Sequence, residues 1–234
     1  MTDAARLAAR NNADWCDAVC HAHGAAGRFS PALWISGRPA PPFYPNVVTL
    51  EPGAAAAQIE AIGALRSALP KGFAVKDSFA ALDLVPLGFA PLFEATWIHR
   101  PPEPVAERPD PALDWRIVAT ATEFARWRDG WGEEAERIFA PSLMRDPRVT
   151  LIGGWRGDTV IAGAALNRSE AAVGWSNVFG PGGGAQVGHR ASALTCAVRI
   201  AGPLPLVGYE SGEALEQSVS LGFRAVGPLT IWGC

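Results

Sequence analysis

The strongest constraint on the fold is a pattern that occurs twice in the chain. Residues 73–98 align without a gap with residues 207–232, and Gly88 then falls on Gly222, an offset of 134 residues. Each copy has the pattern of a strand, a helix and a second strand, with a glycine that stops the helix. The pattern predicts a repeated unit, although two unrelated units that share a glycine stop are an alternative, because few positions are identical.

The two copies specify their central helix differently. In the second copy, Ser211 is a candidate N-cap, and the helix that follows is predicted to end at Gly222. In the first copy, Asp77 takes the cap position and a helix is predicted over residues 78–87. Pro86 should shorten that helix, because proline restricts its neighbour and removes a backbone donor.

Composition excludes several classes of protein. The chain has 234 residues and a net charge of −3, which gives no electrostatic footprint for nucleic acid. No run of eighteen apolar residues occurs, so no membrane-spanning segment is expected, and the charged N-terminus does not read as a secretion signal. The four cysteines are too few for a disulfide framework, which predicts a reduced, cytoplasmic protein.

Four potential metal ligands occur near the end of the first predicted helix, which covers residues 3–22. They are Cys16, Cys20, His21 and His23. The two cysteines share a helical face while His21 points away from it, so the set does not converge as a tetrahedral site requires. We therefore expect no metal, and interpret the group as a helix end with buried thiols.

A proline-rich segment divides the chain. Residues 101–114 combine prolines with charges, which predicts an extended, semi-rigid connector. The expected organisation is an N-terminal half over residues 1–100 and a C-terminal domain over residues 115–234.

Periodicity and turn residues predict the elements on both sides of this connector. In the N-terminal half, besides the helix over 78–87, they are a strand at 46–50, a helix at 54–69, and strands at 73–76 and 90–99. The C-terminal domain is predicted to start with a strand at 115–118, a helix capped by Thr122, and a helical piece at 133–144. A meander of three strands follows at 149–155, 159–166 and 171–179, then a glycine-rich loop at 180–184 and a helix at 185–200.

This order of elements resembles that of the GCN5-related N-acetyltransferases, the GNAT superfamily, in which tandem and partial copies occur. The resemblance covers residues 113–234 and implies an α/β (α+β) fold: a mixed, mostly antiparallel sheet flanked by helices, with an N-terminal partial copy. In the family, the strand before the glycine loop lies along the pantetheine of acetyl-CoA. The loop and the next helix N-terminus bind its pyrophosphate through backbone N–H groups.

Carried over to this chain, the resemblance implies acetyl-CoA as co-substrate. The residues expected to bind it are Ser176, Asn177, Val178, Phe179, Gly182, Gly183, Gly184, Gln186 and Gly188. One departure concerns the phosphate motif, which in the family has Arg or Gln three residues before its first glycine and a small residue two after it. If Gly188 is that glycine, Ala185 and Arg190 occupy these two places. A flexible loop is therefore the alternative to a phosphate site.

A second departure concerns the proton donor. Family members often use a tyrosine to protonate the departing CoA thiolate, and the matching position here, four before Gly222, is Ser218. A serine hydroxyl is a weaker acid than a phenol. Tyr209 is the other candidate acid, or a packed aromatic, and Glu210 is a candidate base for the amine, or a charge at the entry of a helix.

Three functions follow from these features. The leading hypothesis is an N-acetyltransferase that moves the acetyl group of acetyl-CoA directly to an unidentified amine, either a small molecule or a protein amino group. The two departures favour an alternative, a catalytically degenerate binding module with the same fold and no turnover. A structural or assembly protein is a third hypothesis. Nucleic acid and membrane partners are not expected, and a homodimer is left open.

Overall fold

The computed structural model describes residues 2–68, 72–105, 112–181 and 185–234, and within the last range the side chains only from residue 188 onwards. The strands are β1 (Arg28–Phe29), β2 (Leu33–Ile35), β3 (Val47–Thr49), β4 (Ala74–Asp77), β5 (Ala90–Arg100), β6 (Asp114–Ile117), β7 (Val149–Arg156), β8 (Thr159–Arg168), β9 (Val173–Phe179), β10 (Leu206–Glu210) and β11 (Arg224–Gly233). The α-helices are α1 (Asp3–Ala22), α2 (Ala55–Ala68), α3 (Ala121–Trp131), α4 (Ala135–Ile138), α5 (Ala185–Ala201) and α6 (Gly212–Ser220).

All described strands belong to one sheet, in the order β1-β2-β3-β4-β11-β5-β10-β9-β8-β7-β6. Two neighbouring pairs are parallel, β3 with β4 and β9 with β10, and the other pairs are antiparallel. The observed sheet therefore confirms the expected mixed, mostly antiparallel architecture.

The final strand of each predicted half lies among strands of the other, so the two strands are exchanged. Strand β5 lies between β11 and β10, and β11 lies between β4 and β5. Ala95 of β5 pairs with Leu229 of β11, and these two residues are separated by the offset of the sequence repeat. This pair therefore joins equivalent positions of the two aligned segments, residues 73–98 and 207–232.

Helices cover both faces of the sheet. Trp97 packs with α1, whereas the next residue, Ile98, packs with α5 and α6. Because successive side chains of a strand point to opposite faces, these helices lie on opposite sides. Helix α3 shares a buried cluster with α1 and therefore lies on its side. Ala5 and Ala8 of α1 are fully buried, and such small side chains let the helix approach the sheet closely.

The helix predicted over residues 78–87 is wrong. Only a short 3-10 turn forms there, at Val85–Leu87. Ala80 has a left-handed φ of 49°, which no α-helix contains. The Asp77 carboxylate accepts backbone hydrogen bonds from Phe79 and Leu82, and so stabilises an irregular turn instead of a helix.

Two predicted caps are corrected as well. Helix α3 is capped by Thr120, whose hydroxyl accepts a hydrogen bond from the Glu123 N–H, and not by Thr122. Glu123 completes a capping box by accepting a hydrogen bond from the Thr120 N–H. Ser211 does precede α6, as predicted, but its hydroxyl makes no capping hydrogen bond.

The helical piece expected over residues 133–144 is shorter and divided. It consists of α4, only four residues long, and a 3-10 helix at Pro141–Arg145, because Pro141 cannot donate the hydrogen bond that would continue α4. None of the described helices is long and apolar enough to cross a membrane. Residues 106–111 of the predicted connector lie outside the described residues, and the division into two domains stays a prediction.

Candidate functional site

The two parallel strands β9 and β10 separate near their carboxyl ends. They pair only at Leu206 with Val173 and at Val207 with Gly174. The next residue of β10 is Gly208, where an added Cβ would collide with the carbonyl oxygen of Trp175. The backbones are therefore still close at Gly208, and the hydrogen-bonded ladder has already ended. From there the two strands border a cleft.

A β-bulge shapes the β9 side of this cleft. The register with β8 shifts between the pairs Gly163–Phe179 and Ala165–Ser176, so β9 contains one residue more than its partner. The extra length is taken up at Asn177, whose φ is 51°. Asparagine tolerates this left-handed conformation better than most residues do. A bulge bends the strand and redirects its side chains.

The cleft opens into a cavity of about 290 Å³ on the α1 side of the sheet. Its wall includes the ends of β9 and β10, helix α1, the loop at residues 43–45, and the ends of α3 and α4. Five of the residues predicted from the sequence line it, namely Ser176, Asn177, Val178, Tyr209 and Glu210.

The other predicted site residues lie elsewhere. Phe179 packs edge-to-face on Trp127, with 5.2 Å between ring centroids, and belongs to the core under α3. Gly188 lies within α5 and is not part of the cavity wall. Gly182, Gly183 and Gly184 lie outside the described residues, as does the side chain of Gln186.

Glu210 is paired with a buried arginine. Arg190 Nη2 lies 2.5 Å from a carboxylate oxygen of Glu210 and donates a second hydrogen bond, of 3.2 Å, to the Ser218 hydroxyl. Arg190 and Ser218 are both buried, and neither lines the cavity. Glu210 and Ser218, two of the three candidate catalytic residues, are thus connected through one guanidinium. Of these two residues, Glu210 borders the cavity, with its carboxylate turned towards Arg190 of α5.

Both tyrosines of the chain line the cavity. The Tyr209 ring packs edge-to-face on Trp97, with 5.6 Å between centroids. The Tyr44 hydroxyl accepts a hydrogen bond of 2.9 Å from Trp15 Nε1. Desolvation raises the pKa of Tyr44 well above its ordinary value, so this hydroxyl stays protonated at neutral pH. Sequence reasoning did not identify Tyr44, which lies far from the C-terminal motifs.

Sequence reasoning also missed Lys76, a lysine of β4 that is 3% exposed and lines the cavity. Its Nζ donates a hydrogen bond of 2.6 Å to Asn12 Oδ1 and lies 4.3 Å from the centroid of the Tyr209 ring. Within the described ranges, no carboxylate forms an ion pair with it. The available signal was a lone lysine between apolar residues of a predicted strand.

The candidate metal ligands do not come together. Cys16 and Cys20 are buried in a cluster of apolar side chains under α1. His23 Nε2 lies 2.7 Å from the carbonyl oxygen of Ile138. No group of three His, Cys, Asp or Glu side chains in the described part of the chain could hold a metal ion.

The sheet order, with its separated parallel strands and bulge, is the fold of the acyl-CoA N-acyltransferases, the GNAT fold. No family model and no curated protein matches the chain by sequence. Solved structures do match it. A GCN5-related N-acetyltransferase from Kribbella flavida superposes with a TM-score of 0.68 at 15% identity, over 100% of this chain and 96% of the other.

Two further structures support this assignment of the fold. A GCN5-related N-acetyltransferase from Sphaerobacter thermophilus has a TM-score of 0.58 at 10% identity, over 98% of this chain and 93% of its own. A tandem GNAT protein from the clavulanic acid biosynthesis pathway has a TM-score of 0.54 at 14% identity, over 96% and 94%. The comparisons thus confirm the expected fold over nearly the whole chain.

Proposed function

We propose that this protein is an N-acetyltransferase that moves the acetyl group of acetyl-CoA directly to an amine. The observation that carries the proposal is the separation of β9 from β10, which opens into a cavity lined by polar side chains. A thioester arm needs such a gap to bring its carbonyl to an acceptor on the other side of the sheet.

The end of β9 suits the donor. Its ladder with β10 stops at Gly174, so the backbone of residues 176–178 is not paired with that strand and is available to the pantetheine amides. Helix α5 begins shortly after, and a helix N-terminus favours the pyrophosphate. Phosphate binding by Gly182, Gly183, Gly184, Gln186 and Gly188 stays part of the proposal.

The acceptor reaction needs two proton transfers. The amine nitrogen attacks the thioester carbonyl carbon, a C–N bond forms, and the C–S bond breaks to release the CoA thiolate. We assign the proton lost by the amine to Glu210, whose carboxylate Arg190 holds in place, and the proton gained by the thiolate to Tyr209. Ser218 positions Arg190 instead of acting as the acid. Holding both substrates in one cavity supplies much of the rate.

Two measurements on the purified protein test this proposal. Acetyl-CoA should raise the melting temperature, because a ligand that binds only the folded state stabilises it. Acetyl-CoA with a panel of amines should release free thiol in proportion to the N-acetylated product found by mass spectrometry. CoA that carries no acetyl group (desacetylated CoA) is the control, because it should bind but has no acetyl group to transfer. Neither stabilisation nor thiol release at millimolar acetyl-CoA would refute the proposal.

One observation favours the alternative, a binding module without turnover. The position of the family's tyrosine is Ser218, which is buried beside Arg190 and does not line the cavity. This alternative predicts stabilisation by acetyl-CoA with no thiol release for any amine. A purely structural protein would respond to neither ligand. A cytoplasmic location and a homodimer stay predictions.

A further inference from the structure

The cavity wall contains one charge that the protein does not neutralise. The charged residues on the wall are Lys76 and Glu210. Arg190 compensates Glu210, whereas Lys76 Nζ has a hydrogen bond to the Asn12 carboxamide and the ring of Tyr209 beside it, and no ion pair with a described carboxylate. We propose that the acceptor amine carries an anionic group, a carboxylate or a phosphate, and that Lys76 binds this anion. This inference rests on the proposed function, because it names the class of its acceptor.

The burial of Lys76 indicates that its charge requires a partner. Removing an ammonium from water is costly unless a counter-charge and hydrogen bonds replace the water. Asn12 Oδ1 accepts only one of the three ammonium hydrogens. The face of an aromatic ring attracts a cation, but much less strongly than a carboxylate does. An anion in the cavity would supply the missing counter-charge and accept a further hydrogen bond.

The charges of the cavity also discriminate among amines. An amine without an anion enters mainly as an ammonium, which the uncompensated Lys76 repels. A zwitterionic acceptor instead places its anion on Lys76, which compensates the charge that repels a simple amine.

The size of the cavity points to a small acceptor. Its volume of about 290 Å³ is at the lower end of the usual range for ligand pockets, about 300 to 1,000 Å³. A compound of amino-acid size fits such a space. The proposed class is therefore a small amine that carries a carboxylate or a phosphate.

Ligand binding without turnover tests the anion site separately from catalysis. Each probe is an N-acetylamino acid paired with its uncharged primary amide, starting with N-acetylglycine and N-acetylglycinamide and extending to longer aliphatic and aromatic members. N-acetylphosphoethanolamine is the phosphate member, compared with N-acetylethanolamine. Saturation-transfer NMR and thermal shift report binding to the full chain, with desacetylated CoA present and absent. The amine is blocked in every probe, so only the anion differs within a pair.

The wild-type protein should bind the anionic member of the preferred pair at least about tenfold more tightly than the neutral one, which corresponds to about 1.4 kcal/mol. Lys76→Met should abolish this difference, whereas Lys76→Arg should keep part of it. Arg126→Met is the matched control, because it removes an exposed positive charge that pairs with Asp158 and lies outside the cavity wall. The control should keep the full preference.

Several results would overturn the anion site. Equal binding of the two members of every pair by the wild-type protein is one, and it requires no variant to fold. Binding of none of the probes is another, and an equal loss in Arg126→Met and Lys76→Met is a third. Thiol release with uncharged amines and no preference for anionic ones would refute this inference while leaving the acetyltransferase proposal intact. Binding of the anions without any thiol release would refute the acetyltransferase proposal while leaving the anion site intact.

Discussion

At the scale of single residues, Tyr209 combines two roles that the sequence could not separate. Its ring packs against Trp97, and Lys76 Nζ lies over one face of the ring, so Tyr209 has a role in packing. It also lines the cavity, which is the basis for proposing it as the acid. The Tyr209 hydroxyl forms no hydrogen bond with another described residue. Phenylalanine can therefore replace this tyrosine without leaving a described hydrogen-bond partner unsatisfied.

We predict that Tyr209→Phe lowers kcat by about 100-fold, because the loss of a proton donor commonly costs 10²- to 10⁴-fold. The melting temperature and the stabilisation by acetyl-CoA should stay near the wild-type values. Steady-state thiol release and thermal shift measure these effects. Tyr44→Phe is the comparison, since Tyr44 lines the same cavity but accepts the Trp15 N–H. A larger loss of kcat in Tyr44→Phe than in Tyr209→Phe would move the role of acid to Tyr44.

At the scale of elements, the first turns of α3 and α6 differ although both helices follow a hydroxyl residue. The Thr120 hydroxyl accepts a hydrogen bond from the backbone of Glu123, whereas the Ser211 hydroxyl caps nothing. Both residues have an extended backbone, but Gly212, which follows Ser211, has a left-handed φ of 52°. A hydroxyl residue before a helix therefore does not by itself show that a capping hydrogen bond forms.

This difference gives a matched pair of variants. Thr120→Ala should lower the free energy of unfolding by about 1 kcal/mol, because it removes the capping hydrogen bond. Ser211→Ala should change it by less than about 0.5 kcal/mol, because no such bond is lost. Urea denaturation of both variants measures the difference. Equal losses in the two proteins would contradict the assigned caps.

The meeting point of β9 and β10 gives a second prediction for elements. In Gly208→Ala the new methyl group meets the carbonyl oxygen of Trp175, so the strands must move apart. We expect a loss of about 1 to 3 kcal/mol in the free energy of unfolding, as in other overpacked sites, together with weaker acetyl-CoA binding. Gly37→Ala is the control, because its added Cβ meets no atom within 4 Å. Denaturant unfolding that gives equal free energies for Gly208→Ala and Gly37→Ala would contradict this prediction.

At the scale of the whole molecule, the exchange of β5 and β11 predicts that residues 1–105 and 112–234 depend on each other for folding. Without residues 1–105, β10 and β11 would lose β5, the strand that lies between them. Without residues 112–234, β5 would lose both of its neighbours. The backbone groups and apolar faces of these strands would then be exposed to water. We propose that the halves are tandem copies of one unit that fold as a single sheet.

We predict that fragments 1–105 and 112–234 do not fold cooperatively when produced alone, and that they form a one-to-one complex when they are co-expressed. Circular dichroism melts and size-exclusion chromatography with light scattering measure the two outcomes. A separate, cooperative melt of either isolated fragment would show that the exchanged strands are not needed for folding.

Comparison of the predicted and observed elements shows what local sequence could specify. The meander, α1, α2 and the glycine stop at Gly222 were predicted because periodicity and turn residues act over a few neighbours. The helix predicted over 78–87 does not form, because Ala80 has a left-handed conformation and the Asp77 carboxylate accepts hydrogen bonds from the turn. The cofactor-binding residues expected at the end of β9 followed from a resemblance in element order and not from any single motif.

The sequence by itself determined the periodic elements, the offset of the repeat and the residues that end β9 and β10. Only the tertiary structure decided which strands pair, because pairing joins residues more than a hundred positions apart. It also brought Lys76 of β4, Asn12 of α1 and Tyr209 of β10 into one cavity. The groups packed around a charged side chain decide whether its charge is compensated, and packing between distant segments exists only in the folded chain.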